Sequence, residues 1–107
     1  RNPQPTAIFT FNDMLAAGVL RSLLRNGVDV PGQMELMGFD DIPLASYFTP
    51  SLSTMSAPNR RLGEKAAEML MARIAGKTII QNVLYPLDIR LRETTKNTVA
   101  PDKVPDV

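Results

Sequence analysis

The stretch "TAIFTFNDMLAAGVLRSLLRNGVDVPGQMELMGF", residues 6–39, decides the fold. It begins and ends with short apolar runs, at 6–11 and 34–39, which are typical of buried strands. Between them apolar residues recur at helical spacing, and Asn26-Gly27 supplies a left-handed stop. Strand, helix and strand within about 35 residues predict a βαβ unit. We therefore expect an α/β fold with a parallel sheet flanked by helices.

The rest of the chain predicts further elements of the same kind. Pro43 is placed to open a short helix that Pro50 ends, and residues 52–56 form a brief extended segment. A long helix is predicted over 59–76. Its apolar face carries Leu62, Ala66, Met69, Leu70 and Ile74. Residues 87–92 alternate apolar and charged side chains, which predicts a strand with one face in water.

Composition excludes several classes of function. The 107 residues contain no Cys and no His, which removes disulfides, thiolate catalysis and histidine-based triads. No nucleophile–base pair is visible, so we expect no enzyme activity and no cofactor. The net charge of +1 does not indicate nucleic-acid binding by this chain. No run approaches the roughly 18 apolar residues of a membrane span. The start lacks both an initiator Met and a signal-peptide core, so we expect a fragment or processed product.

Polar side chains follow the first two predicted strands, at the point where each strand ends. Asn12-Asp13 comes after the first and Asp40-Asp41 after the second. Ligands of open parallel sheets bind beyond the carboxyl ends of the strands. Asn offers a donor and an acceptor, while Asp offers acceptors. This pairing suits a neutral, hydroxyl-rich ligand such as a sugar, or an amine, better than a phosphate.

Helix capping is the main alternative for the same residues. Asp13 and Asp41 each immediately precede a predicted helix, so we expect them to be caps. Asn12 and Asp40 lie one residue earlier, and the pattern leaves capping and ligand binding equally open for them. A metal site or acid–base pair is disfavoured because adjacent carboxylates point in different directions and no third ligand lies nearby.

Two segments raise a choice between core and interface. Tyr47 and Phe48 either fill the core or face a partner subunit, and core packing is the commoner fate of aromatic residues. On the first helix, Ala17 and Arg21 fall beside the apolar face. A small residue next to a long one fits a helix packed against its symmetry mate, and ordinary exposure fits equally well.

Several motifs, in this order and spacing, resemble one known family. They are "PTAIF" (5–9), Asn12-Asp13, "GFDD" (38–41), "LST" (52–54), "LGEKAAEML" (62–70) and "LRETT" (91–95). Together they resemble the lac repressor/galactose repressor family of bacterial transcription regulators. The resemblance extends over about residues 5–95, nearly all of the chain outside its tail.

The resemblance implies a type I periplasmic-binding-protein-like effector domain, of which 1–95 is the C-terminal portion. The chain would cross between subdomains near 53–58, so that the 59–76 helix packs in the N-terminal subdomain. The tail, 96–107, is expected to be loosely ordered. The DNA-binding helix-turn-helix would lie upstream of this chain.

The implied function is effector sensing and dimerisation in a cytoplasmic regulator. A small effector, expected to be a sugar, would shift the subdomain orientation and so control operator binding by a homodimer. The operator would be contacted only through the upstream helix-turn-helix, and no membrane would be involved. The alternative is a periplasmic sugar-binding protein of a transport system.

The resemblance also implies residue roles. The family's ligand contacts fall on Asn12 and Asp40. Where some members have a third, ligand-facing Gln, this sequence has Ala57, which suggests a different ligand from those members. The family's dimer face falls on Ala17, Leu20, Arg21, Leu44, Tyr47 and Phe48.

Overall fold

The computed structural model describes residues 3–78 and 82–96. The described residues divide into two compact units, 3–56 with 88–96, and 57–78 with 82–87. The first unit contains β1 (Ala7–Phe9), α1 (Asp13–Arg25), β2 (Glu35–Met37), a 3₁₀ helix (Pro43–Tyr47), β3 (Thr54–Ser56) and β4 (Asp88–Arg90). The second contains α2 (Asn59–Ile74). The predicted tail beyond Lys96 lies outside the described residues.

The βαβ unit is confirmed. β1 and β2 pair in parallel, with Ala7 opposite Glu35 and Phe9 opposite Met37. Gly27 ends the α1 segment at φ 71°, as the left-handed stop requires. Met37 also forms an isolated parallel bridge with Ser53. This bridge brings the chain after the 3₁₀ helix alongside β2.

A small core lies between α1, β2 and the segment that follows. Leu36 and Leu52 are essentially inaccessible. They pack with Ala16, Leu20, Val30 and Ala45. The first strand departs from the prediction of burial, because Phe9 is 65% exposed and Ile8 is only half-buried. Within the described residues, β1 is paired on one side only.

The segment "ETT", 93–95, joins β2 to the chain before β3. The Thr94 hydroxyl donates to the Leu36 carbonyl at 2.7 Å and accepts from the Ser53 amide at 2.8 Å. Its backbone amide donates to the Ser51 carbonyl at 3.0 Å. Thr94 is completely buried. One hydroxyl thus provides a hydrogen-bond partner to two buried backbone groups.

Glu93, in the same segment, hydrogen bonds to Ser51 at the surface. Its carboxylate accepts from the amide and the hydroxyl of Ser51, at 3.0 and 2.9 Å. These hydrogen bonds favour the charged form and lower the pKa of Glu93 below its usual 4.5.

The predicted strand over 87–92 is shorter than expected and antiparallel. β4 pairs with β3, and Met55 lies opposite Ile89. β3 and β4 form a two-stranded sheet of their own, separate from the β1–β2 sheet in the described residues.

The second unit consists mainly of α2, and the prediction of a helix there is confirmed. No residue of α2 is buried among the described residues, so its apolar face is not covered within this unit. Leu70 is 61% and Ile74 70% exposed. Arg61 lies over the Tyr85 ring, 5.1 Å from its centre. No helix in the described ranges is long and apolar enough to cross a bilayer.

Candidate functional site at the carboxyl ends of β1 and β2

Asn12 is the cap of α1. Its backbone is extended, and its Oδ1 accepts a hydrogen bond from the Leu15 amide at 2.8 Å. This is the usual geometry of a side-chain cap. The side-chain nitrogen makes no hydrogen bond to any residue that the structure describes, so a donor is left at the end of β1.

Asp13 is not a cap, and that prediction is wrong. The residue is completely buried as the first residue of α1. Its Oδ1 accepts from the Thr54 hydroxyl at 2.6 Å, and its Oδ2 accepts from the Ile42 amide at 2.9 Å. Because Asn12 already satisfies the helix start, the Asp13 side chain turns inward to partners that are 29 and 41 positions away.

Gly38 is required by the close approach of this carboxylate. A Cβ added at Gly38 would lie 2.2 Å from Asp13 Oδ1 and 3.1 Å from Leu52 Cδ2. Any larger residue would overlap a buried polar atom that cannot move without losing its hydrogen bonds. The Gly in "GFDD" therefore makes room for the Asp of the earlier "FND".

Asp40 and Asp41 form a strained turn after β2. Their φ angles are +113° and +56°, in a region that non-glycine residues adopt rarely. The Asp40 amide donates to the Met55 carbonyl at 2.9 Å, which ties the turn to β3. The Asp40 carboxylate makes no hydrogen bond or ion pair with any residue in the described ranges. Strain of this kind concentrates at functional sites.

Asp41 forms an ion pair, and the prediction that it caps a helix is wrong. Its Oδ1 accepts from Arg92 Nη2 at 2.8 Å, and its Oδ2 lies 3.7 Å from Arg90 Nε. Arg92 also donates through Nη1 to the Leu52 carbonyl at 3.0 Å. The 3₁₀ helix has Ile42 at its cap position and no side-chain cap. The sequence carried no local signal for a partner 51 positions away.

Asn12 and Asp40 thus follow two neighbouring parallel strands and share one edge of the sheet. They present an amide donor and a carboxylate acceptor, whereas Asp13 and Asp41 are engaged within the protein. No group of three or more carboxylates among the described residues is placed to hold a metal ion. This arrangement can bind hydroxyl or amine groups by hydrogen bonds.

The residues of the predicted dimer face lie on α1 and around the 3₁₀ helix. A groove of about 300 Å³ is lined by Ala17, Leu20, Arg21, Leu24, Arg25, Phe48 and Thr49. Tyr47 and Leu44 are 76% and 55% exposed. Leu20 is only 5% exposed and belongs to the core, and Phe48 packs partly against that core. The predicted dimer-face residues of α1 therefore lie beside Phe48 at the end of the 3₁₀ helix, while Leu20 and Phe48 also pack in the core of this chain.

Comparison with known proteins identifies the fold and its family. Residues 1–95 match the family described as periplasmic binding protein-like domain. The chain is 42% identical over 95 residues to the HTH-type transcriptional repressor PurR of Vibrio parahaemolyticus. That match takes in 87% of this chain and 28% of the relative, so the chain spans less than a third of the curated relatives' length.

Solved structures agree with this. A periplasmic binding protein/LacI transcriptional regulator from Alkaliphilus metalliredigens, complexed with D-xylulofuranose, superimposes with a TM-score of 0.78 at 32% identity, covering 86% of this chain and 35% of that one. The lac repressor dimer bound to operator and the anti-inducer ONPF gives 0.77 at 31% identity, covering 85% and 32%.

Proposed function

We propose a function from the premise that this chain belongs to the periplasmic binding protein-like family, as the C-terminal portion of a lac repressor-type effector domain. The chain forms the effector-sensing and dimerisation part of a bacterial transcription regulator. The effector is a small, hydroxyl-rich molecule of the sugar class. Its binding shifts the equilibrium between subdomain orientations and so changes affinity for operator DNA. The DNA contact is made by an upstream helix-turn-helix, and the protein acts in the cytoplasm, without enzyme activity or a membrane partner.

The observation that carries the ligand site is the Asp40 carboxylate. It lies at the carboxyl end of β2, in a strained turn, without a protein partner in the described ranges. Asn12 supplies a donor at the end of the neighbouring strand. A sugar hydroxyl can donate to Asp40 and accept from Asn12. The structures of relatives bound to D-xylulofuranose and to ribose support a sugar as the effector class.

Calorimetry on the full-length protein with D-ribose, D-xylulose and lactose tests the ligand site. Asp40→Ala should weaken binding of whichever sugar binds by about 1–3 kcal/mol, because the ligand hydroxyl loses its acceptor. Asp88→Ala, an exposed carboxylate on β4, is the matched control and should leave affinity unchanged. Equal affinity in Asp40→Ala and the parent protein would refute the role of Asp40.

We propose that the groove between α1 and Phe48 lies in the homodimer interface. Ala17, Arg21 and Phe48 line it, and the exposed Leu44 and Tyr47 lie nearby along the chain. Aromatic residues are enriched at the centres of such interfaces. The lac repressor structure in the comparison is a dimer, which supports this assignment.

Light scattering on the full-length protein tests the interface. Tyr47→Asp should produce a monomer, because a charge would be buried without a partner. Tyr47 is mostly exposed in this chain, so the substitution leaves the fold of the single chain intact. Leu84→Asp, at an apolar residue that is 94% exposed in the other unit, is the control and should stay dimeric. A dimer that survives Tyr47→Asp at micromolar concentration would rule out this face.

A further inference from the structure

The turn that presents Asp40 is bonded within itself to Met55 and Arg92, and one further residue, Asp13, bonds to the chain on both sides of it. The Asp13 backbone amide donates to the Phe39 carbonyl at 2.9 Å, immediately before the turn. The Asp13 Oδ2 accepts from the Ile42 amide at 2.9 Å, immediately after it. Asp13 therefore contacts both ends of the two-residue segment whose φ angles are positive.

Such a turn needs external support. A non-glycine residue at positive φ is energetically unfavourable and persists only where the surrounding structure holds it in place. Released from its contacts, the turn would relax toward ordinary extended backbone. The position of the Asp40 carboxylate would then change, because a side chain follows its backbone.

The Asp13 carboxylate is itself well fixed. It is completely buried, and its Oδ1 accepts from the Thr54 hydroxyl at 2.6 Å. The missing Cβ of Gly38 leaves the space in which it sits. Because the Asp13 carboxylate is fixed in one orientation, it also fixes the position of the Ile42 amide that donates to it.

We propose that Asp13 is a positioning residue that holds Asp40 in its ligand-binding geometry. It does so through its hydrogen bonds to Phe39 and Ile42 on either side of the 40–41 turn, which we call the clasp. The proposal rests on the proposed function, since Asp40 is taken as the ligand contact. Asp13 touches no ligand and acts through the Ile42 amide. Thr54, by orienting the carboxylate, extends this clasp to β3.

Hydrogen–deuterium exchange on the full-length protein, followed by mass spectrometry of the peptide around residues 40–44, tests the clasp without a ligand. Asp13→Ala should speed exchange of the Ile42 amide by about fivefold, the factor that a hydrogen bond of average net strength represents. Asp13→Asn should restore slow exchange, because its amide oxygen can still accept from Ile42 while its nitrogen donates to Thr54.

A core truncation distinguishes positioning from general destabilisation. Val30→Ala removes buried volume from the core and touches none of the clasp atoms. It should leave exchange at 40–42 unchanged. Fast exchange in Val30→Ala to the same degree as in Asp13→Ala would overturn the proposal. If Asp13→Ala does not fold, Asp13→Asn decides, because fast Ile42 exchange in that variant would also overturn it.

Calorimetry with D-ribose on the same proteins separates this inference from the proposed function. If D-ribose binds, affinity should fall at least tenfold in Asp13→Ala and return in Asp13→Asn. Unchanged affinity in a variant whose Ile42 amide exchanges fast would overturn the link from Asp13 to the ligand. If no sugar binds the parent protein, the proposed function fails, while the exchange data still decide the clasp.

Discussion

Replacing Gly38 by Ala should destabilise the protein by placing one methyl group against the buried Asp13 carboxylate. The added Cβ would lie 2.2 Å from Asp13 Oδ1 and 3.1 Å from Leu52 Cδ2, so an atom has to move. Overpacking of a rigid core costs about 1–3 kcal/mol. A displaced carboxylate also weakens its bonds to Thr54 and Ile42, each worth about 1 kcal/mol. Since that displacement relieves part of the overlap, we expect about 2–4 kcal/mol in all.

Urea denaturation of the full-length protein measures this loss as a fall in the transition midpoint at constant slope. Gly18→Ala is the matched control, because it makes the same chemical change on α1 where no atom lies within 4 Å of the new Cβ. Glycine inside a helix is destabilising relative to Ala by about 0.5–1 kcal/mol, so this variant should gain stability. The close-approach argument fails if Gly38→Ala is as stable as the parent protein, or if both variants lose the same amount.

Two further predictions concern the segment 93–95. Thr94→Val should lower the free energy of unfolding in urea by about 1–3 kcal/mol, because the buried Ser53 amide and Leu36 carbonyl each lose a partner. Thr6→Val, at an exposed position, is the control and should cost nothing measurable. Equal urea midpoints for Thr94→Val and the parent protein would contradict the role of the Thr94 hydroxyl. The lowered pKa of Glu93 adds stability above its unfolded value of 4.5 that is lost as pH falls through the folded pKa. Glu93→Gln should therefore lose less thermal stability on acidification than the parent protein. Melting temperatures that fall equally with pH in both proteins would refute a stabilising role of the Glu93–Ser51 hydrogen bonds.

Most of the secondary structure followed from local patterns. The apolar spacing of α1, its Asn26-Gly27 stop and the strands on either side are properties of neighbouring residues, and the parallel pairing of β1 with β2 is confirmed. The burial of β1 and of the α2 face did not follow. Their apolar side chains are exposed in this chain, because periodicity shows which face is apolar and not what covers it.

Within the candidate site, the sequence by itself determined that four polar residues follow two adjacent strand ends. It also identified Asn12 and Asp40 as the two whose roles stayed open. Only the tertiary structure decided that Asn12 caps α1, that Asp13 is buried, and that Asp41 pairs with Arg92. The Asn12 cap uses a partner only three residues along the chain, whereas the other two outcomes depend on groups brought near by folding, such as Ile42, 29 positions away from Asp13. A cap is a local contact that a pattern can indicate, whereas the partner of a buried carboxylate is chosen by whatever packs against it.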